Sequence, residues 1–207
     1  MKPTLHTLAR EFREIGRDFY GRGWVLGTSG NFSVVMTRKP LKLLITASSI
    51  SKGAIRPAEL LVVGSNGKPP VGKAGRPSAE TALHLAVVRA RNAGAVLHTH
   101  SVWSTMLSEQ LGQEEGLELS GFEMLKGLEG VRTHQHTEWL PILENDQDMP
   151  ALAGRVAALL EKFPAVHGFL LRGHGLYTWG DDLAQARRHV EIFEFLLETT
   201  GRMLQWP

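Results

Sequence analysis

Val96-Leu97-His98-Thr99-His100-Ser101 is the stretch on which the reading of this chain turns. An apolar run from Ala95 to His98 reads as a strand that ends in two histidines one residue apart. Side chains on a strand alternate between faces, so His98 and His100 share one face and Thr99 takes the other. Two same-face imidazoles can converge on one cation, and imidazole nitrogen suits zinc, copper, iron or nickel. Two ligands close no site, and a pair of histidines at a wet strand end fits the same pattern.

Upstream, Arg76-Pro77-Ser78 opens a helix with Ser78 as N-cap and Glu80 in its first turn. Leu83, Ala86, Val87 and Ala90 give that helix an apolar face, and Gly94 ends it. Downstream, Ser101 caps a further helix to about Leu111. Far along the chain, Arg172-Gly173-His174-Gly175 joins two strands, Val166 to Leu171 and Leu176 to Trp179. Glycines on both sides of His174 suit a tight backbone that presents an imidazole. His174 is the third ligand candidate, since three histidines leave a zinc ion an open position for a substrate oxygen. A histidine bonded within its own hairpin is the plainer alternative. His134-Gln135-His136 is a rival pair, but its polar surroundings read as a solvated loop.

The rest of the chain alternates strands and helices. Thr4 to Tyr20 carries an apolar stripe of Leu5, Leu8, Phe12, Ile15 and Phe19. Phe32 to Met36 and Leu41 to Thr46 read as paired strands, and Leu60 to Val63 as a third before the Ser65-Asn66-Gly67 turn. A glycine-broken acidic segment follows Leu111, and Glu138 to Leu143 is a strand made edge-like or irregular by its proline. Helices begin near Pro150 and after Asp181 or Asp182. This order predicts α/β layers around a largely antiparallel sheet, in a single domain spanning 1–207.

Composition narrows the function. The net charge of +2 comes from interspersed charges rather than a basic stripe, which argues against nucleic acid. No apolar run approaches the roughly 18–20 residues that cross a bilayer, so no membrane role is expected. Met1-Lys2-Pro3-Thr4 leads directly into a helix with no secretory leader in view. Cysteine is absent, which removes thiolate chemistry and fits a cytoplasmic protein. Glu80 and Glu123 are the acid–base candidates. Glu80 equally suits a first-turn carboxylate on the helix dipole, and Glu123, between Phe122 and Met124, is either desolvated, which raises a carboxyl pKa, or a surface glutamate. Ser29-Gly30-Asn31 and Thr46-Ala47-Ser48-Ser49 offer N–H and hydroxyl groups to an anion, with Lys52 adding charge.

Ser29-Gly30-Asn31, Thr46-x-Ser48 with Gly53, Pro77-Ser78-x-Glu80, His98-Thr99-His100 and His174-Gly175 together resemble the zinc-dependent class II (fuculose-type) aldolase/adducin-head family. They stand in the family's order from about Gly27 to the last helix. The resemblance implies a three-layer α-β-α sandwich with a mixed, largely antiparallel central sheet, in a homotetramer with sites near subunit interfaces. It assigns one Zn2+ per subunit to His98, His100 and His174, and the phosphate of a small phosphorylated ketose to Ser29, Gly30, Asn31, Ser48 and Ser78. Phe122 to Gly127, Pro141 to Asn145 and Arg172 to Gly180 resemble the family's water-eliminating branch, with Glu123 as acid–base. That branch acts on a 1-phosphorylated ketopentose bearing a methylthio group, in methionine salvage. The alternative is a sugar-phosphate aldolase or epimerase of the same fold, in which the Glu80 position is the base and a tyrosine near the C-terminus the proton donor. The two tyrosines here are Tyr20 and Tyr177, a departure that counts against aldol cleavage.

Overall fold

The computed structural model describes residues 4–72 and 75–204; Met1-Lys2-Pro3 and Gln205-Trp206-Pro207, at the limits of the expected domain, lie outside the described residues. The strands are β1 (Asn31–Arg38), β2 (Leu41–Thr46), β3 (Leu60–Gly64), β4 (Ala95–Thr99), β5 (Gly116–Ser120), β6 (Thr137–Leu143), β7 (Gly168–Leu171) and β8 (Gly175–Gly180). The helices are α1 (Leu5–Gly21), α2 (Thr81–Arg91), α3 (Val102–Gln110), α4 (Met149–Lys162) and α5 (Leu183–Leu204). The sheet runs β3-β2-β1-β4-β8-β7-β6-β5. Every neighbouring pair is antiparallel except β6 and β7, which makes the sheet mixed and largely antiparallel as expected.

Strand alternation sorts the core into layers. Leu43, Ile45, Val96 and Phe169 pack with Leu83 and Val87 of α2 and with Leu152 and Val156 of α4. On the other face Phe32, Leu44, Ala95 and Leu97 meet Leu8 and Phe12 of α1 and Ala186 and Val190 of α5. Phe12 and Phe19, fully buried, pack against Phe32 with ring centroids 6.5 and 5.8 Å apart. Burying a side chain of this size contributes about 1.5–3 kcal/mol. A third cluster joins Leu107 of α3 and Leu197 of α5 to Leu117, Leu140 and Leu176.

Several boundaries differ from expectation. Helix α2 starts at Thr81 with Glu80 at its N-cap, not Ser78. Ser78 closes the preceding turn instead: its carbonyl accepts from Thr81 N, and its Oγ accepts from Glu80 N at 3.3 Å. The glycine-broken segment after Leu111 holds β5, whose residues Leu117 and Leu119 are buried. With β5 outermost, β6 is an inner strand rather than an edge; Pro141 stands opposite Gly116, at the end of a continuous β5–β6 register. Asp182, through its Oδ1, caps α5 by accepting from Gln185 N.

One polar cluster is built into this frame away from the cleft described below. Glu138 on β6 is 2% exposed and accepts from His167 N, from His167 Nδ1 and from His136 Nε2. His136 is therefore not the solvated loop residue its sequence context predicts. His167 Nε2 donates to Glu129 O, so both ring nitrogens face acceptors, as an imidazolium requires. Burial alone lowers the His167 pKa, but the Glu138 hydrogen bond and charge outweigh it and leave it above 6.5. Burial raises Glu138, and the histidine bonds outweigh that too, leaving it below 4.5. The His167 contribution is full below its unfolded value and lost as pH rises through its raised folded value; the Glu138 contribution is present above its unfolded value and lost as pH falls through its lowered one. Glu138→Gln is therefore expected to cost about 2 kcal/mol in chemical denaturation, most between pH 4.5 and 6.5 and less on either side. A flat difference across pH contradicts the charged pair.

Candidate metal centre and cleft

The antiparallel pairing of β4 with β8 puts His98 opposite Tyr177, and His100 follows where β4 ends. His174 sits in the β7–β8 turn, where its N–H donates to Leu171 O and its carbonyl accepts from Thr105 Oγ1 of α3. The two backbones touch here: a Cβ on Gly175 would lie 2.0 Å from Thr99 O, so only glycine fits. Gly30 is equally constrained, with φ of +69° and the His98 carbonyl 2.6 Å from where a Cβ would stand.

One nitrogen from each of His98, His100 and His174 lies within 4.8 Å of the others, the one such metal-competent group found among the described residues. His98 is fully buried; its Nδ1–H donates to Leu176 O at 2.9 Å, and its ring stacks on Tyr177 with centroids 3.9 Å apart. That bond leaves the His98 Nε2 bare, 2.7 Å from His100 Nε2. Burial, then the neighbouring histidines, holds His98 well below its ordinary pKa. Burial, then His174 and Lys52, lowers His100 to about 3. Burial lowers His174 as well, although Glu80 opposes it. Neutral imidazoles with converging lone pairs, one oriented by a backbone carbonyl, are the donor set a divalent transition ion takes. His174 Nδ1 is buried without a hydrogen-bond partner.

Glu80 reaches the cluster from α2, with Oε1 3.2 Å from His174 Nε2 and Oε2 3.6 Å from His98 Nε2. Asn31 Nδ2 donates to Glu80 Oε2 and, at 3.1 Å, to Ser78 Oγ. Beside them opens a cleft of about 380 Å³ lined by Ser29, Gly30, Asn31, Ser48, Lys52, Ser78, Glu80, His100 and His174. The expected anion-binding residues thus share one cavity with two of the three histidines. Lys52 is 1% exposed; its Nζ donates to Thr28 O and Ile50 O, and burial, opposed by Glu80, lowers its pKa to about 8. Asn145, Gln147 and Met149 also line the cleft and were not singled out individually as site residues.

Glu123 stands apart. It is not among the residues lining that cleft, and its side chain is 71% exposed. Its Oε1 accepts from Lys126 Nζ at 2.5 Å, and Oε2 is 3.6 Å from Nδ1 of the exposed His134. The expected desolvation is absent. The Lys126 hydrogen bond and charge instead hold this carboxyl below its ordinary value. His84 escaped the sequence reading although it lies four residues after Glu80, the helical spacing that puts two side chains on one face.

The family model described as "Class II Aldolase and Adducin N-terminal domain" matches residues 10–200. A "Methylthioribulose-1-phosphate dehydratase" of Sorangium cellulosum is 44% identical over 193 residues, covering 93% of this chain and 90% of that protein. One of Yersinia enterocolitica is 45% identical over 179 residues, covering 86% and 83%. Among solved structures, an L-fuculose-1-phosphate aldolase from Thermus thermophilus superposes with a TM-score of 0.77 at 27% identity, covering 98% of each chain.

The purified protein should carry about one divalent transition ion per chain, the number one three-histidine site holds. His98→Ala and His174→Ala should each fall well below that in elemental analysis while keeping their circular dichroism. Full metal content in both variants would place the ion elsewhere.

Proposed function

The chain belongs to the class II aldolase and adducin N-terminal family, and from that membership we infer that it is a lyase that dehydrates methylthioribulose 1-phosphate. The observation that carries this reading is the near full-length identity of 42–45% to proteins bearing that dehydratase name. In the substrate C2 is a carbonyl and C3 and C4 carry hydroxyls. Loss of the C3 proton and of the C4 hydroxyl as water forms a C3=C4 enol. Protonation at C4 then gives the 2,3-diketo-5-methylthiopentyl 1-phosphate.

His98, His100 and His174 hold the metal, which we take to be zinc; a bound divalent ion supplies Lewis-acid polarisation of the sugar carbonyl. Ser29, Gly30, Asn31, Ser48 and Ser78 bind the phosphate, supported by their common cleft. Lys52 adds positive charge at its wall. Glu123 moves the protons. Its exposure in one chain fits a group that completes a site only when substrate or a neighbouring subunit covers it. A homotetramer in the cytoplasm belongs to the same proposal. Aldol cleavage is less well supported, because Tyr177 is fully buried against His98 and Tyr20 lies on α1.

Synthetic methylthioribulose 1-phosphate should lose water with the metal-loaded protein and stay intact after chelation. Release of a three-carbon phosphate would make the enzyme an aldolase instead. Glu123→Gln should keep its metal and lose at least about 100-fold in turnover, the scale of one acid–base group. Unimpaired turnover in that variant would remove Glu123 from the chemistry.

A further inference from the structure

Behind Glu80 runs a chain of buried polar groups that the reaction as described does not use. His84 is wholly buried in α2, and its Nε2 contacts Asn31 Oδ1 while its Nδ1 is 2.7 Å from Ser33 Oγ. Asn31, 4% exposed, reaches Glu80 and Ser78 with the other end of its amide.

The direction of every hydrogen bond in this chain follows from one end. A carboxylate accepts and does not donate, so the Asn31 end that meets Glu80 is its NH2. The opposite end is then the carbonyl, which also only accepts. His84 must therefore bring a proton on Nε2. Burial lowers the His84 pKa to about 3, so the ring is neutral and carries a single proton. Nδ1 is thus bare and accepts from the Ser33 hydroxyl. One tautomer satisfies all four groups, and the other sets a bare nitrogen against a carbonyl, which is costly in a buried site.

Resting on the reading of this cleft as the active site, we propose that His84 is a positioning residue. Its Nε2–H fixes the Asn31 amide with the NH2 toward Glu80 and Ser78, and through that amide it aims the Glu80 carboxylate at the imidazole cluster. His84 touches no reacting atom. It acts through Asn31.

Two measurements on the full-length, metal-loaded protein decide this. In 15N-histidine NMR, His84 should be the Nε2–H tautomer; a proton on Nδ1 overturns the proposal, whatever the substrate proves to be. In a double-mutant cycle read in kcat/KM for dehydration, His84→Leu should cost at least about tenfold, as outer partners of metal sites do. The same change in an Asn31→Ala background should cost almost nothing more, because the two act as a unit. Equal losses in both backgrounds overturn it. His84→Gln, which keeps an N–H within reach, should recover most of the loss, and the absence of recovery also counts against it. Should His84→Leu fail to fold, the tautomer decides. Should the wild type show no dehydration, the functional reading fails, and the tautomer still decides this one.

Discussion

The ladder between β4 and β8 is the constraint on which the rest depends. It brings His98 against Tyr177 and lets a ring nitrogen of His98 bond the Leu176 carbonyl, 78 residues away along the chain. The same pairing sets the loop holding His174 beside His100, with ring centroids 4.4 Å apart. Nothing local to either segment could do this. The Gly175 and Thr99 backbones approach too closely for any side chain between them, so the registry is fixed sterically as well as by hydrogen bonds. Three imidazoles meet because two strands do.

The parts legible in the sequence are those with a period or a punctuation mark. Period two put His98 and His100 on one face, and two glycines marked the His174 turn, so the cluster could be read from three short segments. Six of the phosphate-side candidates, Lys52 among them, share the cleft because they end strands or begin turns that converge there. The illegible parts depend on distant partners. His84 looks like any histidine in an apolar helix until Asn31 is folded against it from β1. β5 was hidden by the glycines and charges around it, since only Leu117 and Leu119 of its five residues carry an apolar alternation. Glu123 is open to either reading in the sequence, because flanking Phe122 and Met124 suggest burial, whereas in the fold Met124 is itself exposed and the carboxylate turns to Lys126.

Two carboxylates therefore have opposite environments. Glu80 is packed among histidines and an amide whose orientation is determined by its neighbours, so its position is narrowly defined before any substrate arrives. Glu123 is held by one exposed lysine, an ion pair of the kind worth little to stability. A group so loosely held can change partners at small cost. Preorganisation suits Glu80 to a fixed place beside the three imidazoles, and adaptability suits Glu123 to the role proposed for it once the cleft is covered.

The short strand β4 ties this site to both helical layers at once. His98 faces the α2 side with Val96, where Glu80 and His84 wait. Thr99, pointing the other way, donates its hydroxyl at 2.6 Å to Glu194, a carboxyl buried in α5. Burial, partly offset by the Ser101 and Thr99 hydrogen bonds, raises Glu194 to about 7, so near neutrality much of it is uncharged and tolerates its site. A slip of one residue along β8 would turn His98 toward Glu194 and bring Thr99 to the side of the other two imidazoles, losing one imidazole of the cluster and a buried hydrogen bond together. Both faces of the strand thus select the same register, and that agreement makes five residues sufficient to fix His98, with His100 one residue beyond the strand.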